Sequence, residues 1–73
     1  MLLVENKQYP IKRLDFNETR WHKTLIVTVD GDDYLHRHLY IGTPYPFLSR
    51  QMRLWKIHTF LEGEVVLTEL YFR

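Results

Sequence analysis

The chain has no cysteine among its 73 residues. That excludes disulfides and thiolate metal sites, and a cytosolic setting is expected. Its three glycines stand apart, so there is no glycine-rich loop to cradle a phosphate. Ser49 is the only serine and sits in no nucleophile-elbow pattern. No apolar run approaches the roughly 18 residues of a membrane span. The start, MLLVENKQ, turns to polar and charged residues after four apolar ones and does not read as a signal peptide. A formal charge of +1 is too weak for a non-specific nucleic-acid binder, which presents a strong basic field. No catalytic or cofactor signature stands out, so no enzymatic activity, cofactor or metal is expected.

Hydrophobic residues make up 45% and aromatics 15%. That is enough apolar surface for a folded core, and the length predicts one domain over 1–73. Met1 to Val4 reads as an N-terminal edge strand, and Pro10–Phe16 as a strand of imperfect alternation. Asn17-Glu18-Thr19 reads as a turn. Thr24–Val29, TLIVTV, is the clearest strand, rich in β-branched residues. Asp30-Gly31 follows as a hairpin signal, and Tyr34–Ile41 reads as the returning strand, with His36 and His38 on one face.

Thr43–Trp55, TPYPFLSRQMRLW, reads as neither strand nor tight turn at first sight. Each proline pushes the residue before it out of the α region, so helix is excluded before Pro46. Beyond it, Phe47, Leu48, Met52 and Trp55 share one helical face, with Arg50 and Arg53 opposite. A two-turn helix of this kind needs packing to hold it. Trp55–Leu61 and Glu64–Phe72 then form a second hairpin around Glu62-Gly63. This register sets Lys56 opposite Glu69 and Trp55 opposite Leu70. The expected fold is α+β: a small, mostly antiparallel sheet of two hairpins plus an N-terminal strand, with one short helix between the hairpins. A small barrel is the alternative.

Three constellations bear on function. His36 and His38, with His22 or His58, have a spacing a metal could use, but no carboxylate or thiol lies at a motif distance. Asp30, Asp32 and Asp33 crowd one turn without the ligand series of a calcium loop, and read as a solvated tip. More telling are aromatics interleaved with bases: Arg20-Trp21-His22-Lys23, and Tyr45, Phe47, Arg50, Arg53, Trp55 and Lys56. Trp55 itself reads as core. Such residues suit protein hot spots or stacked single strands, and the near-neutral charge favours a protein surface. The candidate partner-binding residues are Tyr45, Phe47, Arg50, Arg53, Trp21 and Lys23. The alternative is a single-stranded nucleic-acid module using Trp21, Tyr34, Tyr40 and the arginines.

Over its full length, and in the stretch WHKTLIVTVDGDDYLHRHLYIGTPYPF, the chain resembles the small cysteine-free regulators that lytic bacteriophages make against host RNA polymerase. It looks similar to the Xanthomonas phage type, a transcription inhibitor that also causes antitermination. The resemblance implies binding to the N-terminal segment of the polymerase β′ subunit and to the β flap, near the RNA exit channel and the nascent RNA. It implies hindered use of sigma factor at promoters and passage through intrinsic terminators. The setting would be the host bacterial cytoplasm, the protein monomeric and away from membranes.

Overall fold

The computed structural model describes residues 1–45 and 49–73, an antiparallel sheet covered on one face. The chain opens with a small hairpin of β1 (Leu2–Val4) and β2 (Lys7–Tyr9). β3 (Ile11–Glu18) and β4 (Lys23–Asp30) make a second hairpin. A short helix, α1 (Asp33–His38), follows. The two-residue β5 (Pro44–Tyr45) and the long β6 (Ser49–Glu62) lead into β7 (Val65–Phe72). In space the strands run β3-β4-β7-β6, with β5 added at the β6 edge. The α+β class, the antiparallel pairing and the single short helix agree with expectation; the placement of several elements does not.

The central pair is β4 with β7. Leu25 faces Phe72, Val27 faces Leu70 and Val29 faces Thr68. This alternation puts Leu25, Val27, Val29, Leu70 and Phe72 on one face, all buried. Leu54 on β6 joins them, and Leu2, Val4 and Tyr9 from the N-terminal hairpin and Leu35 and Leu39 from the helical segment close the core. Each large aliphatic side chain fully buried here contributes about 1.5–3 kcal/mol. The opposite sheet face carries Ile26, Thr28, His58, Phe60, Leu67, Glu69 and Tyr71 by the same alternation, and among the described residues no element lies over it.

Tyr34–Ile41 does not return as a strand. Thr24–Val29 instead pairs with Ile11–Glu18 on one side and β7 on the other, leaving no free edge for a return strand. Asp32 caps a helix instead, its carboxylate accepting from the Leu35 N–H at 3.1 Å. Asp33 in the first turn and His36, Arg37 and His38 in the last suit the helix dipole. Leu35 and Leu39 are four apart and both buried, a spacing that alternation and helix share. The acidic turn is therefore not simply a solvated tip: Asp32 also accepts from Tyr9 Oη at 2.7 and 2.9 Å and from Lys7 Nζ. Gly31 lies where an added Cβ would stand 2.6 Å from Thr68 Oγ1, so it serves close packing and not a hairpin turn.

The helix expected after Pro46 is replaced by strand from Ser49 onward. Pro46, Phe47 and Leu48 lie outside the described residues. The last hairpin forms, with a register offset from the expected one: Ile57 faces Leu70, His58 faces Glu69 and Lys56 faces Tyr71. Its turn residues are Gly63, at φ 64°, and Glu64, the arrangement in which glycine takes the first central position. The β3–β4 hairpin turns at Thr19–His22, two residues later than expected; Thr19 Oγ1 accepts from the His22 N–H at 3.0 Å.

Candidate binding surfaces

Two surfaces stand out, and a break in the β6–β7 ladder creates the first. Leu54 faces Phe72 and Lys56 faces Tyr71, so Trp55 is an extra residue, a bulge. Strict alternation would send Trp55 and Lys56 to opposite faces. The bulge turns both toward Tyr71: the Trp55 and Tyr71 rings meet edge to face at 5.7 Å, and Lys56 Nζ lies 5.0 Å from the Tyr71 ring centroid. Arg73 adds its guanidinium over the Trp55 ring at 4.5 Å. Trp55 is thus only half-buried and belongs to the uncovered face, not to the core.

Arg53 lies opposite Arg73, the two backbones exchanging N–H···O=C bonds of 2.9 and 3.0 Å. Arg53 is exposed and donates from Nη1 to the Gly42 carbonyl at 3.1 Å. Among the described residues, no carboxylate pairs with Arg53, Lys56 or Arg73. Two residues further along the same face, Glu69 is held by its neighbours. His58 Nδ1 lies 3.1 Å from Glu69 Oε1, to which Tyr71 Oη also donates at 3.1 Å. Burial, and then this bond to Glu69, push the Tyr71 phenol above its ordinary range. The His58 and Phe60 rings stack at 5.6 Å. Thr28 and Trp55 each bury a polar atom, Oγ1 and Nε1, without a partner among the described residues.

The second surface is the free edge of the sheet. Leu14 and Phe16 share the face of the core, opposite Val27 and Leu25. The helix and the N-terminal hairpin stop short of them, leaving Leu14 55% and Phe16 57% exposed. Trp21, 78% exposed, stands in the turn at the end of this hairpin with the Arg20 guanidinium 5.4 Å from its ring. Lys23, beside it, lies 3.9 Å from Glu18.

The candidate residues are thereby separated. Trp21 and Lys23 share the hairpin tip, Arg53 lies on β6, and Arg50 and Tyr45 lie in β6 and β5. Phe47 lies outside the described residues. Tyr34 stacks on His38 at 3.9 Å within α1, and Tyr40 follows the helix with its hydroxyl on the Arg37 carbonyl; they form no common platform with Trp21. His36 and His38 sit on the helix, not on a strand face. His36 Nε2 lies 2.8 Å from Thr59 Oγ1 and so ties the helix to the sheet. Sequence reasoning set Lys56 beside Trp55 but missed Tyr71 and Arg73, because nothing in the residue pattern marks the bulge.

No family model matches the chain, and no curated protein or solved structure is a match to it.

Proposed function

We propose that this chain is a non-enzymatic regulator that binds host bacterial RNA polymerase through the exposed edge of its first long hairpin. The observation that carries a protein partner is the row of Leu14, Phe16 and Trp21, three large apolar side chains left exposed beside Arg20 and Lys23. Apolar and aromatic anchors beside arginine are the usual centre of a protein interface. The sequence resemblance supplies the target: the β′ N-terminal segment and the β flap near the RNA exit channel. Occupation of that site would hinder sigma-dependent initiation and favour passage through intrinsic terminators.

The test is a titration of isotope-labelled protein with polymerase core and with the isolated β′ N-terminal fragment, following backbone amide shifts for the fragment. Saturable shifts confined to β3 and the Thr19–His22 turn are the expected result. No binding to either target overturns the proposal.

A further inference from the structure

We infer that the uncovered sheet face around Trp55 and Tyr71 is a binding site for single-stranded nucleic acid. It is separate from the β3 edge and does not rest on the polymerase reading.

Three observations converge. First, the bulge at Trp55 brings an indole and a phenol ring into edge-to-face contact on a face that no described element covers. Rings on an open antiparallel sheet are surfaces on which unpaired bases stack. Second, each ring carries its own cation, Arg73 on Trp55 and Lys56 on Tyr71. A base that stacks on either ring takes the place of its cation, which is then free to pair with a phosphate of the same strand. Third, Arg53 and Arg73 are cross-strand neighbours of like charge. Such a pair destabilises a sheet, and a phosphate between the guanidiniums reverses the sign.

Charge is also distributed unevenly along the strands. The end holding Arg53, Lys56 and Arg73 includes Arg20 and Lys23; the acids closest in the register are Glu69, already bound by Tyr71 and His58, and Glu18, beside Lys23. Asp30, Glu62 and Glu64 lie at the other end, the first two beside Lys12 and Arg13. A net charge of +1 hides this polarity. The site is small, suited to two or three nucleotides. Duplex nucleic acid does not offer its bases to the rings.

The experiment uses labelled oligothymidylate and oligouridylate, with fluorescence anisotropy at low salt and thermal melts of every variant. Single strands are expected to bind, a duplex of the same length less tightly. With three phosphates neutralised, log Kd should change with log salt with a slope of about 2, at roughly 0.7 per phosphate. Lys56→Glu and Arg73→Glu should each reduce that slope, with the fold retained. Trp55→Ala should weaken binding by about tenfold to a hundredfold through lost stacking, and Trp55→Phe, which keeps a ring, should restore most of it. Trp21→Ala should leave it unchanged. Absence of binding at low salt overturns the inference, as does binding indifferent to Lys56→Glu and Arg73→Glu. Equal displacement by an oligoglutamate peptide also overturns it, because charge alone would then explain the affinity. Loss of polymerase binding on Trp21→Ala would test the other surface and leaves this one untouched.

Discussion

Arg53 and Arg73 sit directly across from each other at one end of the sheet, joined by two backbone hydrogen bonds of 2.9 and 3.0 Å. Like charges so placed cost a few tenths of a kcal/mol to about 1 kcal/mol. Arg53→Gln keeps a donor for the Gly42 carbonyl and removes the repulsion. The variant is expected to be more stable by about 0.5 kcal/mol at low salt, and the gain should vanish as salt screens the wild-type pair. Urea melts at low and high ionic strength measure this; an unchanged or lowered midpoint at low salt contradicts it.

Thr28 is fully buried and its hydroxyl has no partner among the described residues. A buried, unmatched hydroxyl costs about 1–3 kcal/mol. Thr28→Val has nearly the same shape without that cost, and stabilisation on the order of 1 kcal/mol is expected. A destabilised variant in chemical denaturation would mean that the hydroxyl is satisfied.

The Asp32 carboxyl ties three segments together. Burial alone would push its pKa up, but donors from Lys7, Tyr9 and the Leu35 N–H outweigh this and hold it below the usual carboxylate range. A depressed folded-state pKa gives stability that is complete above the unfolded value, about 3.9, and is lost as pH falls through the folded value. Tyr9 shifts the other way: burial and then the bond to Asp32 raise its pKa. Its contribution is present below the ordinary phenol value, about 10, and is lost above it. Asp32→Asn retains a helix cap but not the charge, so it should flatten the acid limb of a stability-against-pH curve. An acid limb identical to wild type would show that Asp32 is not its source.

Gly31 has no room for a side chain, because its Cβ would meet Thr68 Oγ1 and the Leu67 backbone. Gly31→Ala should cost about 1–3 kcal/mol by overpacking. Gly31→Ala combined with Thr68→Ser keeps the hydroxyl clash, whereas Gly31→Ala with Thr68→Ala removes the nearest atom and should recover part of the loss. Equal melts for the two double variants would place the strain elsewhere.

Phe16→Ser and Trp21→Ala change exposed side chains, and a stability change within about 0.5 kcal/mol is expected. Both should weaken binding to polymerase core in the proposed mode. Unfolding of either variant, or undiminished affinity, contradicts the role given to this edge.

What could be read from the residues was what period and composition control. TLIVTV announced a buried strand, and Trp55–Leu61 with Glu64–Phe72 a hairpin. The helix could not be placed because YLHRHLYI satisfies both periods: Leu35 and Leu39 share a face in a strand and in a helix. Asp32, the cap that decides between them, looked like one of three turn carboxylates. The Met52–Trp55 spacing that read as helix is the footprint of a bulged strand, with Leu54 and Ile57 on one face and two outward residues between them. The binding surfaces were legible only as a composition, aromatics near arginines. Which of them meet is set by registers between residues far apart in the chain.

The bulge in β6 gives the strand one residue more than the ladder pairs. Leu54 and Ile57 both turn inward although three positions separate them, and removal of Lys56 would leave them two apart, the natural interval of an unbroken ladder. A strand normally suffers most from a one-residue deletion because every later side chain changes sides. Here the deletion regularises the strand. The bulge thus bears on what the uncovered face displays more than on the pairing of the sheet, and a single-codon deletion of Lys56 would separate the two.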